Sequence, residues 1–70
     1  MYKISFYSTS YSKKYGIYDY KAIGSLDQII EGARIKSLQR QELKYREWLV
    51  KITLDGKFMC TRTIKNGAII

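Results

Sequence analysis

The sequence predicts an α+β domain, one helix packed on an antiparallel sheet of four or five strands, in the order β-β-α-β-β with a short fifth strand at the end. Three observations predict it. Apolar residues alternate with a period of two near both ends of the chain, in residues 2–7 and 45–64. Between them, Ser25-Leu26-Asp27-Gln28 forms a capping box that opens a stretch of helical spacing. Asp55-Gly56 and Asn66-Gly67 punctuate the last apolar runs as turn signals.

The elements follow in order. Tyr2, Ile4 and Phe6 alternate with Lys3, Ser5 and Tyr7, as in a half-buried strand. Residues 8–16 are rich in Ser and Tyr and end at Gly16, which reads as a long polar connection. Residues 17–23 read as a second strand with Tyr18, Tyr20 and Ala22 on one face, closing an antiparallel hairpin. The helix starts at Ser25 and runs to about Gln41, with Leu26, Ile29, Ile30 and Ala33 as its core stripe. Ile35 and Leu38 fall off that stripe. Either the helix bends near Gly32 and a following segment covers them, or they meet a partner or a second copy. Residues 45–54 form the strongest strand, with Trp48, Val50, Ile52 and Leu54 on one face. Residues 58–64 return beside it. Even residues then face even residues only across an odd-numbered loop, so the pattern predicts a three-residue connection with Gly56 left-handed. The expected core is Ile4, Phe6, Leu26, Ile29, Ile30, Ala33, Trp48, Val50, Ile52, Phe58, Cys60 and Ile64.

Length and composition bound the function. Seventy residues make a single domain, 1–70, near the lower limit for independent folding. Seven Tyr, two Phe and one Trp argue against disorder. With a single cysteine and no histidine, neither a disulfide nor a zinc site is expected, and no cofactor is implied. Residues 1–6 alternate, unlike a signal peptide, and nothing approaches the roughly 20 apolar residues of a membrane helix. The expected setting is therefore cytoplasmic. Catalysis is not expected: the usual acid–base residue is missing, the carboxylates are scattered, and Cys60 lies on the expected core face.

The charge is the positive signal. Thirteen Lys and Arg stand against six Asp and Glu, a net +7, which suits an anionic partner. Tyr7, Tyr11, Lys13, Lys14, Tyr15, Tyr18 and Tyr20 lie in or beside the first hairpin, where aromatics could stack and ammonium groups neutralise phosphates. Arg34, Lys36, Arg40, Lys44 and Arg46 form a second basic set on the helix and beyond, with Lys36 and Arg40 on one face and Ile35 among them. Lys51, Lys57 and Arg62, with Thr53, Thr61 and Thr63, form a weaker third set on the open or rim side of the last hairpin. The partner-binding candidates are the first set together with Arg34, Ile35, Lys36 and Arg40.

The short chain, its opening Met1-Tyr2-Lys3-Ile4-Ser5-Phe6, the capped Gly24-Ser25-Leu26-Asp27-Gln28 and the hairpin from Trp48 to Phe58 resemble small phage-encoded host-takeover and anti-defence proteins. Some anti-CRISPR proteins, and small phage inhibitors of bacterial RNA polymerase, share this element order. The resemblance spans the chain as a plan of elements and carries no diagnostic motif. It implies a non-enzymatic phage or mobile-element inhibitor that docks on a host protein or nucleoprotein complex, such as a CRISPR effector, in the cytoplasm of a bacterial host. The basic charge departs from the many acidic DNA mimics of this kind, and points to an acidic protein surface or to bound nucleic acid. The alternative reading is a domain that binds DNA or RNA directly, phosphates through Lys and Arg and bases through Tyr. No membrane partner is implied, and a homodimer through Ile35 and Leu38 remains open.

Overall fold

The computed structural model describes residues 1–8, 18–44 and 46–70. It is an α+β fold, with one helix on a five-stranded antiparallel sheet. Strand β1 spans Tyr2–Ser8, β2 Tyr18–Ala22, β3 Glu47–Leu54, β4 Lys57–Lys65 and β5 Ala68–Ile69, and helix α1 spans Leu26–Gln39. The sheet order is β2-β1-β3-β4-β5, so the first strand lies inside the sheet against a strand from the far half of the chain. No described helix is long and apolar enough to cross a membrane.

Register decides which face each residue serves. Phe6 lies opposite Tyr18 and Val50, Ile4 opposite Tyr20 and Ile52, and Trp48 opposite Ile64. These residues share the face that α1 covers. Lys3, Ser5, Tyr7, Asp19, Lys21, Leu49, Lys51, Thr53, Thr61, Thr63 and Lys65 alternate to the other face, which no described element covers.

The helix begins where the capping box places it. The Gln28 N–H donates to Ser25 Oγ at 3.2 Å, and the Ser25 N–H donates to Gln28 Oε1 at 2.9 Å. Both bonds satisfy donors that a helix start leaves orphaned. Ser25→Ala is expected to lower stability by about 1 kcal/mol, read as a shifted urea midpoint at unchanged m-value. Ile29, Ala33 and Ser37, four residues apart, form the buried line of the helix. The buried Ser37 hydroxyl donates to the Arg34 carbonyl at 2.5 Å and so is not stranded. The helix stops at Gln39, short of the expected Gln41, because Arg40 turns extended (φ −81, ψ 127). A 3-10 turn over Gln41–Leu43 then swings Leu43 into the core, where sequence periodicity did not place it.

The core is Ile4, Phe6, Ile29, Ala33, Leu43, Trp48, Val50, Ile52 and Ile64, with Leu26, Ile30, Cys60, Tyr2, Tyr18, Tyr20 and Ala22 packed half-buried around it. Trp48 is its largest member. Its ring meets Phe6 edge-on at 6.2 Å, and its Nε1–H donates to the Leu43 carbonyl at 2.8 Å.

The last hairpin corrects the expectation. Its turn has two residues, Asp55 and Gly56, both at positive φ (49 and 86), the geometry of a type I′ turn. The odd residue sits in the strand instead. Thr53 pairs with Phe58 and Ile52 with Cys60, so Met59 is the extra residue of a β-bulge. Cys60 and Ile64 keep the expected face. Phe58 does not: it lies on the uncovered face, 61% exposed, outside the core where it was expected. The second strand is also shorter than expected, since Ile23 lies beyond β2 and is exposed. Strand β5 pairs only with Ile64 and Lys65. On the part of β4 it leaves unpaired, the bulge at Met59 and the Arg62 guanidinium on the Thr61 carbonyl at 2.8 Å blunt the edge against further strands.

Candidate functional site

The structure separates the sequence-predicted binding residues. Tyr18 and Tyr20 stand on the helix-covered face, 5.8 Å apart, and each carries a cation from α1 or its C-cap. Lys36 Nζ lies 5.2 Å from the centre of the Tyr20 ring, and the Arg40 guanidinium 4.8 Å from that of Tyr18. These cation–π contacts close the β2 edge over the core. Arg40 also pairs with Glu42 at 2.7 Å, and Arg34 pairs with Glu31 at 2.6 Å while reaching the Gly67 carbonyl at 3.5 Å. The Arg34 hydrogen bond holds the Glu31 carboxyl below its ordinary pKa, and Arg40 does the same for Glu42. The helix cations that sequence reasoning offered to a partner are thus engaged within the fold. Ile35 is 39% exposed, away from the buried line of α1. Tyr11, Lys13, Lys14 and Tyr15 lie outside the described residues.

Burial, followed by the charge on Tyr18, pushes the Tyr20 phenol from 10.0 up to about 12. A pKa raised in the folded state means that folding favours the neutral phenol. Its contribution is complete below pH 10 and is lost as pH rises toward 12. Denaturant melts over that window should show wild-type stability falling more than that of Tyr20→Phe, which has no phenol to ionise.

Tyr7 stands apart from the other tyrosines, on the uncovered face beside Leu49 and Thr63. That face is built in cross-strand rows. Lys21, Lys3, Thr53 and Phe58 form the first row, then Asp19, Ser5, Lys51 and Thr61, then Tyr7, Leu49 and Thr63, then Glu47, Lys65 and Ala68. Lys3 pairs with Asp19 at 3.6 Å, both well exposed, an ion pair of little strength. Lys21, Lys51 and Lys65 have no ion-pair partner among the described residues. Lys51 is at the centre, flanked along its strand by Leu49 and Thr53. A hollow of about 400 Å³ at the first row is lined by Met1, Lys3, Lys21, Thr53, Asp55 and Gly56.

Sequence reasoning rated Lys51 with its threonines weakest, and missed Lys3, Lys21, Lys65, Leu49 and Phe58. Period-two alternation across all strands would have found the lysines. Arg62 and Lys57 belong to the other side of β4, opposite Val50 and Leu54. Lys44, Arg46, Lys57 and Arg62 are also without ion-pair partners among the described residues, but they are scattered from the end of α1 into the last hairpin.

Among the described residues, no cluster of three or more His, Cys, Asp or Glu side chains could hold a metal. The fold and this face define a small α+β domain with a one-sided sheet. No protein-family model matches the chain, and no curated protein or solved structure matches it either.

Proposed function

We propose that this protein is a non-enzymatic binding domain that docks on a nucleoprotein complex through the uncovered, lysine-bearing face of its sheet. The observation that carries the reading is the sorting of cations. Arg34, Lys36 and Arg40 are engaged by Glu31, Tyr20, Tyr18 and Glu42, whereas Lys21, Lys51 and Lys65 have no ion-pair partner among the described residues and stand on a face that also exposes Phe58 and Leu49. Unpaired cations beside exposed apolar groups fit an anionic macromolecular surface better than a small substrate. The small format and element order, which resemble phage inhibitors of host machines, support inhibition as the consequence of docking. A bacterial host complex, of which a CRISPR effector is one example, is the partner this reading names.

The test is affinity capture from bacterial lysate with the wild-type chain and with Lys21, Lys51 and Lys65 all changed to Glu. Wild type should retain material containing both protein and nucleic acid, and the variant should not. Equal capture by both chains, with the variant still folded, would overturn the reading.

A further inference from the structure

We propose that the uncovered sheet face is a platform for single-stranded nucleic acid, with Lys21, Lys51 and Lys65 on phosphates and the rings of Phe58 and Tyr7 stacking on bases. The proposal rests on the docking reading above and names what the face touches.

Several observations favour this occupant. The charge is complementary: the three lysines, without ion-pair partners among the described residues, spread over three of the four rows and across β2, β3 and β4, as contacts along a chain of phosphates require. Phe58 is a large apolar ring held 61% exposed on the same face. The two-residue Asp55-Gly56 turn puts it there, opposite Thr53, and the bulge at Met59 lets Cys60 return to the helix side. Its cross-strand partner Thr53 lines the hollow together with Lys3 and Lys21. Tyr7 lies two rows and two strands away. Strand geometry puts the two aromatic positions roughly 16 Å apart on the sheet, within the span of one short oligonucleotide.

The same features argue against a duplex. A duplex hides the faces of its bases, so the exposed Phe58 ring and the half-buried Tyr7 ring gain nothing from it, while unstacked bases offer each a π-face. The only long helix among the described residues lies on the opposite side of the sheet and cannot enter a groove while this face is engaged. Asp19 and Glu47 also lie on the platform, and Asp55 lines the hollow. These carboxylates mark where phosphates do not run, and leave the diagonal from Lys21 through Lys51 to Lys65 as the cationic track.

The experiment titrates labelled single-stranded DNA, single-stranded RNA, duplex DNA and polyglutamate against the full chain at two salt concentrations. Single strands should bind most tightly. The slope of log K against log salt should drop by roughly 0.7 for each phosphate contact removed in a Lys21, Lys51 and Lys65 to Gln variant. Phe58→Ala should weaken single-strand binding by about tenfold or more. It should leave the thermal melt nearly unchanged, because the ring is exposed. Arg62→Gln, on the other side of β4, removes one charge and should bind like wild type. Polyglutamate or duplex binding as tight as the single strand would overturn the proposal, as would an unaffected Phe58→Ala or an Arg62→Gln loss equal to that of the lysine variant. If no oligonucleotide binds at low salt, yet lysate capture still depends on Lys21, Lys51 and Lys65, the platform is refuted and the docking reading stands.

Discussion

Trp48→Ala is expected to remove about 3–5 kcal/mol of stability, the usual loss for a large aromatic side chain cut from a packed core. A domain of this size has about 4–10 kcal/mol in total, so a large share of the variant should be unfolded at 37 °C. The magnitude follows from what Trp48 joins. It is 1% exposed, sits between Phe6 of β1 and Ile64 of β4, and ties the 3-10 turn to the sheet by its bond to the Leu43 carbonyl. Removing it opens a cavity under the helix and strands a polar group that had been satisfied. Trp48→Phe separates the two losses. It keeps most of the packing and deletes the hydrogen bond, for an expected loss of about 1–3 kcal/mol. Both variants should be followed by circular dichroism in urea, since the substitution removes the only Trp. An alanine variant within 1 kcal/mol of wild type would show that the core collapses around the gap, and that Leu43 is held by packing alone.

Leu43 also shows why part of the core was not legible. Periodicity finds residues that repeat on a helix or a strand. Leu43 belongs to a three-residue turn and is buried because Arg40 breaks the helix and redirects the chain. Nothing local in Gln41-Glu42-Leu43 marks that turn as inward. By contrast, Ile4, Phe6, Trp48, Val50, Ile52 and Ile64 were legible, because one face of each strand must be apolar and a slip by one residue would expose them all.

Phe58 is the instructive partial failure. One extra residue does separate Ile52 from Cys60, as parity demands, but it lies in β4 and not in the loop. Parity counts residues between two fixed points and cannot tell a three-residue loop from a two-residue turn followed by a bulge. Turn chemistry decides here: Asp55-Gly56 takes positive φ at both positions, as a type I′ turn demands, and pushes the odd residue into β4. A residue expected in the core thereby becomes the most exposed ring among the described aromatics of the sheet. The helix cations illustrate the same limit. Lys36 and Arg40 look like a free cationic face on a helical wheel, and only tertiary structure reveals Tyr20 and Tyr18 beneath them.

Gly67→Ala is expected to lower stability by about 2–3 kcal/mol, well beyond the effect of the same change at Gly56, and the difference reports on Leu38. Both glycines have left-handed backbones, φ +80 and +86, where any other residue pays about 1–2 kcal/mol. A methyl group at Gly56 would meet nothing within 4 Å, so the backbone term is all it should show. A methyl group at Gly67 would lie 2.8 Å from Leu38 Cγ and nearer still to its Cδ2, so Leu38 would have to leave the turn it covers. In a Leu38→Ala background that collision is gone, and Gly67→Ala should then resemble Gly56→Ala. The expected coupling between positions 38 and 67 is on the order of 1 kcal/mol, measurable by a double-mutant cycle in urea. Additive losses would mean that Leu38 does not rest on the β4–β5 turn in solution. The cycle thereby resolves the off-stripe pair of the helix. Leu38 lies against a later segment, the glycine turn that also accepts Arg34, while remaining 42% exposed. Ile35 rests on no such turn and is left to the surface, so an Ile35→Asp chain that stays folded is the variant with which to look for a second interface.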